Sequence, residues 1–387
     1  MNTNFARGMS RVADLTRSGR LNDATALIQS LLQSPSAPRH EPEESGLIEG
    51  TFTRLGDTAP KPPPASASRA ARASAHANRT GLRETLRSIA AGGMPSRSDV
   101  TLKPLDLPEG AQFLSLTHHG ADRRDYRLYI PANRPEGPMP LIVMLHGCSQ
   151  SPEDFAIGTG MNALAEECGC LVAWPAQPQG ANAQKCWNWF RPEDQGKGRG
   201  EPALIAGIVE DILRAHPADP DRVYAAGLSA GGAAAAILGA AYPEMFAAVG
   251  IHSGLPAGGA RDVPSAFAAM RGGSTGKTRA LTVPAIVFHG LADKTVHPGN
   301  GEAVVAQAMR TRSGLSRVCV SGVSAGGRAY RQTRHEDAGG RSMTEHWEID
   351  GAGHAWAGGK AGGSYTDPAG PDASREMLRF FLEHRQS

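Results

Sequence analysis

The chain has 387 residues, and its 40 Lys and Arg nearly balance its 38 Asp and Glu, giving a net charge of +2. This balance argues against a protein whose main task is to grip nucleic acid or an anionic membrane. Apolar residues make up 40% of the chain, which excludes fibrous and fully disordered classes, and no apolar run approaches the roughly 20 residues of a membrane-spanning helix.

The N-terminal part of the chain differs in composition from the remainder. Apolar residues recur at helical spacing between Phe5 and Leu32, which predicts a helical segment over residues 1–33. Residues 34–100 are rich in Pro, Ala and Ser and carry too few apolar side chains to offset the entropy lost on folding. We therefore predict a disordered linker there, with room for one short helix, followed by a folded domain over residues 101–387.

No targeting or metal-binding pattern stands out. Arg7 and Arg11 are not followed by the apolar stretch of a secretory signal peptide, so the cytoplasm is the default expectation. The five cysteines are too few for a disulfide framework, and Cys168 and Cys170 lack the spacing of a zinc site. We expect neither a metal nor a cofactor.

From about residue 110 onward, short apolar or β-branched runs alternate with helical patterns. This alternation is typical of an α/β fold with a doubly wound, mostly parallel sheet. The predicted strands are Tyr126–Ile130, Leu141–Leu145, Leu171–Trp174, Val223–Ala226, Ala247–His252, Ala285–His289 and Glu345–Ile349. The predicted helices lie near Asp154–Glu167, Glu201–Ala215, Gly231–Ala241, Gly301–Met309 and Asp372–His384.

The strongest chemical signal is the sequence GLSAGG over residues 227–232, between the predicted strand that ends at Ala226 and an alanine-rich helix. A GxSxG sequence at a sharp strand-to-helix turn exposes its serine as a nucleophile. The glycines are needed because larger side chains would collide with neighbouring backbone. A glycine-rich turn without chemistry is the alternative, but the strand and helix around it favour Ser229 as a nucleophile.

A serine hydroxyl needs a base to take its proton and an acid to orient that base. Asp293 and His354 each follow a predicted strand, in the chain order Ser, Asp, His of α/β-hydrolases. Taken singly, Asp293 fits a turn residue and His354 a packing residue. The ordered set favours Asp293 as the acid and His354 as the base. Three other histidines compete for the base role: His252, His289 and His297.

The negative oxygen formed when a serine attacks an acyl group needs two backbone N–H donors. Ala230, directly after the serine, supplies the first. The second is expected from the loop after the predicted strand that ends at Leu145, where Cys148 is the best candidate. His146 in the same loop is predicted to shape the turn rather than to act as a base.

A long loop after the predicted strand that ends at Trp174 carries the sequence CWNWF over residues 186–190. Exposed aromatic residues are costly unless they line an apolar cleft, so Trp187 and Trp189 are predicted to bind substrate. Trp356 joins them because it lies two residues past His354. The alternative is that these side chains cover the edge of the sheet.

Cys148 and Cys186 should lie close together, because both loops are expected above the carboxyl edge of the sheet. A disulfide there would pin the two loops to each other. Two reduced thiols are the alternative if the protein is cytoplasmic.

Five motifs are specific as a set: LHGCSQ from residue 145, CWNW from 186, GLSAGG from 227, HGLAD from 289 with VHP from 296, and GHAW from 353. Over about residues 110–385 they resemble the polyhydroxybutyrate (PHB) depolymerase family of esterases, which have the α/β-hydrolase fold. The resemblance implies hydrolysis of carboxylic esters by Ser229, Asp293 and His354. It also implies a substrate such as poly(3-hydroxybutyrate) or a short-chain hydroxyalkanoate ester.

Other functions and locations stay open at this point. The resembled family is similar to feruloyl and acetylxylan esterases, so a carbohydrate esterase is the enzymatic alternative. A hydrolase-like module that contacts polymer granules through the segment 1–33 is the non-enzymatic alternative. Many members of the family are extracellular, which is the alternative to the cytoplasm. We expect an ester substrate, no nucleic-acid partner and no membrane span.

Overall fold

The computed structural model describes residues 105–274 and 278–386. The helical segment predicted over residues 1–33 and the linker predicted over residues 34–100 lie outside the described residues. The described part of the chain folds as strands and helices in alternation.

The strands are β1 (Gln112–His119), β2 (Arg123–Ile130), β3 (Met139–Leu145), β4 (Leu171–Pro175), β5 (Ala218–Leu228), β6 (Ala248–His252), β7 (Ala285–Gly290), β8 (Ser316–Val323), β9 (Ala329–Glu336), β10 (Ser342–Ile349), β11 (Trp356–Ala357) and β12 (Thr366–Asp367). Within the described residues, ten of them form one sheet in the order β1-β2-β4-β3-β5-β6-β7-β10-β9-β8, and β11 pairs separately with β12. Neighbouring strands run parallel from β4 to β10 and antiparallel at both edges. The predicted doubly wound, mostly parallel sheet is confirmed.

The helices are α1 (Pro152–Thr159), α2 (Met161–Cys168), α3 (Gly200–Ala215), α4 (Ala230–Ala241), α5 (Val263–Gly272), α6 (Gly299–Met309) and α7 (Ala373–Leu382), with a short 3-10 helix at Pro192–Gln195. Helices α3 to α6 pack on one face of the sheet, and α1, α2 and α7 pack on the other. Both faces are therefore covered, as parallel sheets require.

The central strands are apolar along their whole length. Every residue of β3, β6 and β7 is buried, because each strand has helices above and below it. This explains why the sequence shows these strands as continuous apolar runs rather than as an alternating pattern.

All seven predicted strands are present, most of them longer than expected, whereas the helix predicted near Asp154–Glu167 is two helices. Gly160 separates them with a left-handed φ of 64°, and its N–H donates to the carbonyl of Ala156, which ends the first helix. The sequence did not indicate strands β1, β8 and β9, whose residues are largely exposed or half-buried and polar.

The carboxyl ends of β5, β6, β7 and β10 lie side by side at one edge of the sheet. The loops that follow them carry Ser229, Asp293 and His354. Parallel α/β sheets bind their ligands at this edge. In residues 105–274 and 278–386, no helix combines the length and the apolar character needed to cross a bilayer.

Candidate active site

Ser229 lies at the turn between β5 and α4. Its backbone is left-handed, with φ 58° and ψ −116°, a conformation that is strained for any residue with a Cβ. The N–H of Ser229 donates to the carbonyl of His252 at the end of β6 (2.9 Å). The neighbouring strand therefore holds the turn in its strained form and keeps the serine half-buried at the end of the sheet.

The glycines on either side of Ser229 permit this turn because they let backbone segments touch. A Cβ on Gly231 would lie 1.9 Å from the carbonyl oxygen of Leu145, and a Cβ on Gly227 would lie 2.4 Å from the backbone of Gly231. Contacts this short do not occur between real atoms, and backbone cannot move aside as a flexible side chain can. The packing of β5, α4 and the end of β3 thus requires glycine at both positions.

Asp293 and His354 are joined directly. Nδ1 of His354 lies 2.7 Å from Oδ2 of Asp293, while Oδ1 of Asp293 accepts from the N–H groups of Thr295 and Val296 (2.8 and 2.9 Å). A carboxylate can only accept, so the Nδ1–H of His354 donates, and in the neutral ring the lone pair is on Nε2. This is the tautomer that a general base requires.

The environment of Asp293 keeps it ionised. Burial alone would raise the pKa of its carboxyl group, but the charge of His354 and hydrogen bonding from His289 and His354 outweigh it. The pKa of Asp293 is therefore well below its ordinary value. A permanent negative charge next to Nδ1 stabilises the imidazolium form of His354 when Nε2 takes a proton.

Ser229 is positioned separately from the Asp293–His354 pair. The serine follows β5, the aspartate follows β7 and the histidine follows β10, so all three lie at the same edge of the sheet. Among the hydrogen bonds of the described residues, none joins Ser229 to His354. Hydrogen bonds of this kind often tighten only when substrate binds.

The positions of the other three histidines argue against each of them as the general base. His252 and His289 are both 1% exposed, so neither reaches a substrate, and Nε2 of His289 donates to the carbonyl of Val296. His297 is exposed, and its Nδ1 accepts the N–H of Gly299 in its own turn. His354 makes the shorter contact with Asp293, at 2.7 Å, whereas Nε2 of the buried His289 lies 3.5 Å from Oδ2 of Asp293.

The loop after β3 leaves one amide available. Its neighbours are engaged: Gly147 N–H donates to Oε1 of Gln150, Ser149 N–H to the carbonyl of Gln184, and Gln150 N–H to the carbonyl of Gly147. Cys148 N–H has no acceptor among the described residues. Ala230 begins α4, where an N–H has no partner within the helix. These two amides are the donors predicted from the sequence.

His146 has the structural role predicted for it. Its Nε2 accepts the N–H of Gln177, and its Nδ1 donates to the carbonyl of Gly147. Burial lowers the pKa of His146 to about 4, so the ring is neutral and suits both contacts. The ring holds the turn that presents Cys148.

Cys148 and Cys186 form a disulfide, with their Cα atoms 4.2 Å apart. The prediction that the two cysteines lie close together is confirmed. The bond connects the loop after β3 to the loop that carries Trp187 and Trp189. The disulfide therefore fixes the position of Cys148, whose N–H has no acceptor among the described residues.

Removing this disulfide should destabilise the protein. Its two cysteines enclose a separation of 38 residues, for which chain entropy predicts a loss of roughly 3–4 kcal/mol in the free energy of unfolding. We expect C148S/C186S to unfold at lower urea concentration and to have a reduced kcat, because the Cys148 amide is no longer held. Cys319→Ser, which changes a free and exposed cysteine, is the matched control. Equal urea midpoints for the two variants would contradict this prediction.

The prediction that tryptophans line a substrate cleft is not supported by their positions. Trp187 is 0% exposed and donates to the carbonyl of His146, and Trp356 is 1% exposed and donates to Oγ of Ser374. Trp189 is also buried and packs in the core beneath α3 and α4. The three side chains pack in the core instead, and a buried indole has no surface to offer a ligand.

Tyr365 is an aromatic residue that the sequence analysis missed. It is 39% exposed, and its hydroxyl lies 3.4 Å from Oγ of Ser149, next to Cys148. Its carbonyl accepts the N–H of Trp356, two residues after His354. A left-handed φ of 52° holds it there, and a tyrosine in a Gly and Ser-rich stretch gave no signal of this position.

The segment around Tyr365 is tied to the loop after β3. Gln150 donates through Nε2 to the carbonyl of Ser364, and Ser364 donates from its N–H and its Oγ to the carboxylate of Asp154. These hydrogen bonds hold the segment of Tyr365 between the loop that carries Cys148 and the loop that carries His354. In the described parts of the chain, no cluster of three or more His, Cys, Asp or Glu side chains is arranged to hold a metal ion.

Comparison with known families agrees with this geometry. A family model described as Esterase PHB depolymerase matches residues 124–337, more than half of the chain. The chain belongs to the PHB depolymerase family of esterases.

The chain is similar to bacterial and to fungal proteins. It is 32% identical over 242 residues to poly(3-hydroxyalkanoate) depolymerase C of Paucimonas lemoignei, covering 58% of this chain and 57% of that protein. It is 30% identical over 204 residues to feruloyl esterase B of Thermothelomyces thermophilus, covering 46% of this chain and 67% of that protein. The chain thus spans little more than half the length of the depolymerase relative.

The same fold occurs in a solved esterase structure. Acetyl xylan esterase from Aspergillus awamori superposes with a TM-score of 0.54 at 19% identity, covering 70% of this chain and 99% of that one. The predicted α/β-hydrolase fold is confirmed for this member of the PHB depolymerase family.

Proposed function

We propose that this protein is a serine esterase in which Ser229 is the nucleophile, His354 the general base and Asp293 the acid that orients it. The observation that carries the proposal is the 2.7 Å contact between His354 and Asp293. Both residues follow strands that end at the same edge of the sheet as the strained turn of Ser229. Family membership supports the same reaction class.

The first half of the reaction forms an acyl-enzyme. As Oγ of Ser229 attacks the ester carbonyl carbon, Nε2 of His354 takes its proton, and the electron pair of the C=O bond moves to the oxygen. The N–H groups of Cys148 and Ala230 donate to that negative oxygen. When the electron pair returns, the C–O bond of the alcohol breaks, and the alcohol leaves with the proton from His354.

The second half releases the acid. His354 takes a proton from a water molecule, whose oxygen attacks the acyl carbon. The bond to Ser229 then breaks, and Oγ recovers the proton from His354. Every proton moves through Nε2 of one imidazole, and Asp293 stays ionised throughout.

We propose esters of short hydroxyalkanoic acids, including poly(3-hydroxybutyrate), as the substrate class. Matches to a poly(3-hydroxyalkanoate) depolymerase and a poly(3-hydroxybutyrate) depolymerase support this choice, as does the family model. A feruloyl or acetylxylan esterase is the second candidate, supported by matches to proteins with those names.

A substrate panel tests the proposal. Wild-type protein would be given p-nitrophenyl butanoate, amorphous poly(3-hydroxybutyrate), methyl ferulate and acetylated xylan at matched concentrations. The proposal predicts turnover of the first two with kcat/KM well above that for the carbohydrate-type esters. Preferred turnover of methyl ferulate or acetylated xylan would favour the second candidate. Absence of hydrolysis and of serine labelling by a fluorophosphonate would favour a binding module.

Tyr365 takes the substrate-contact role first assigned to the tryptophans. We expect Tyr365→Ala to raise KM for p-nitrophenyl butanoate about 10-fold while changing kcat little, because an exposed ring whose hydroxyl lies beside Ser149 contributes contact area rather than chemistry. Tyr330→Phe, which removes a hydroxyl from a half-buried ring packed on Trp347, is the control. A Tyr365→Ala protein with wild-type KM would show that substrate does not touch this ring.

The proposal also covers the compartment in which the protein works and its contact with polymer granules. A disulfide such as Cys148–Cys186 persists in oxidising compartments, which favours the extracellular alternative over the cytoplasmic default. Contact with polymer granules through residues 1–33 stays a proposal based on sequence alone. Granule co-sedimentation of the full chain and of a chain that begins at residue 101 would test it.

A further inference from the structure

His252 lies between the groups of the proposed active site without being one of them. It ends β6, the strand that separates β5, which leads to Ser229, from β7, which leads to Asp293. The residue is 1% exposed, so it cannot contact an ester. Its hydrogen bonds nevertheless reach both of the loops on which the reaction depends.

The backbone of His252 contacts one loop and its side chain contacts another. Its carbonyl oxygen accepts the N–H of Ser229 at 2.9 Å. Its Nε2 accepts the N–H of Ala357, three residues after His354, also at 2.9 Å. One residue thus bridges the turn of the nucleophile and the loop of the base.

Donors and acceptors fix the form of the ring. A backbone N–H can only donate, so Nε2 of His252 must carry a lone pair, and the proton must be on Nδ1. Nδ1 lies 3.2 Å from Oγ of Ser253, which accepts that proton. Burial lowers the pKa of His252 to about 3, with the charges of His289 and His354 acting in the same direction. The ring therefore remains neutral.

Ring stacking adds a second constraint on the same loop. The ring of His252 stacks on Trp356 with centroids 5.0 Å apart, and on Phe288 of β7 with centroids 5.7 Å apart. Trp356 is anchored on its other side, where its indole N–H donates to Ser374. The loop that follows His354 is thus held by one hydrogen bond and one stacking contact from His252.

We propose that His252 is a positioning residue that sets the distance between Ser229 and His354 through the acceptor at Nε2. This inference rests on the proposed esterase function. A base loop that loses the hydrogen bond at Ala357 moves relative to the serine, and a misplacement of about 1 Å costs on the order of 10²-fold in rate. The loss falls on kcat, because no atom of His252 touches the substrate.

Two polar substitutions distinguish the role of His252 as a hydrogen-bond acceptor from its role in packing. His252→Gln places its side-chain oxygen near the position of Nε2, whereas His252→Asn is one carbon shorter and does not reach Ala357. With p-nitrophenyl butanoate, we expect His252→Asn to lose about 10²-fold in kcat at nearly constant KM. We expect His252→Gln to recover most of that loss. Equal kcat values for the two variants, whether high or low, would overturn the proposal.

His384→Gln is the matched control, since His384 is also buried and packs on an aromatic ring, that of Phe380, but contacts neither loop. Its kcat should equal that of the wild type, and a loss like that of His252→Asn would overturn the proposal by showing that any buried histidine matters.

A measurement on the wild-type protein covers the case in which the variants fail to fold. The ¹⁵N spectrum of histidine-labelled protein should show the Nδ1–H tautomer for His252 at pH 7. The Nε2–H tautomer or a protonated ring would overturn the proposal. This spectrum needs no ester, so it decides the hydrogen bond even if wild-type protein hydrolyses none of the substrates and the esterase function fails.

Discussion

Ser229→Ala should abolish ester hydrolysis, lowering kcat for p-nitrophenyl butanoate by about 10⁴-fold or more. Without Oγ no acyl-enzyme forms, and the Cys148 and Ala230 amides can only polarise the substrate carbonyl toward water. The variant should stay folded, because Ser229 makes its structural contacts through its backbone N–H and C=O. Initial rates, together with labelling by a fluorophosphonate, measure both consequences.

The matched control is Ser321→Ala, which removes a hydroxyl from an exposed serine of the edge strand β8. It should leave both rate and labelling unchanged. A Ser229→Ala protein that keeps wild-type turnover, or that is still labelled at an equal rate, would assign the nucleophile to another residue.

Asp293→Asn should lower kcat by about 10⁴-fold, although the shape of the side chain is kept. An amide placed at Oδ2 can present its NH2 group to His354, which then holds its proton on Nε2 and cannot act as a base. The imidazolium also loses the charge that stabilises it. The rate should fall while the melting temperature changes less than in a variant that breaks the core.

Asp350→Asn provides the comparison for this variant, because Asp350 is exposed and follows β10 close to the same edge of the sheet. Its turnover should match the wild type. If Asp293→Asn were nearly as active as Asp350→Asn, the orienting acid would be a different group.

The sequence predicted the residues whose roles depend on local backbone. Gly227 and Gly231 can be recognised because only glycine permits the close approach to Leu145, and this demand is visible as GxSxG. Asp293 and His354 are indicated by their order after buried strands, of which β7 is mostly apolar and β10 is largely buried although it carries several polar residues. Such signals depend on a few neighbouring residues.

The sequence could not predict features that depend on which surfaces meet in three dimensions. The aromatic run at Trp187 has the same composition whether it lines a cleft or fills the core, and only the packing of α3 and α4 decides that it is buried. Edge strands such as β8 show no apolar pattern because little of their surface is covered. The contacts of Tyr365 with Ser149 and of His252 with Ala357 join residues more than 100 positions apart.

The hydrogen bonds between the loop after β3 and the segment around Ser364 also affect the order in which the protein folds during synthesis. Asp154 and Ser364 are hydrogen-bonded across 210 positions of sequence, and Gln150 and Ser364 across 214. During synthesis the Cys148 loop leaves the ribosome long before the residues that hold it, because chains emerge from the N-terminus at only about 5–20 residues per second. The loop after β3 therefore lacks its hydrogen bonds to Ser364 for roughly 10–40 s of translation, and a nascent chain shorter than about 365 residues should be inert toward esters.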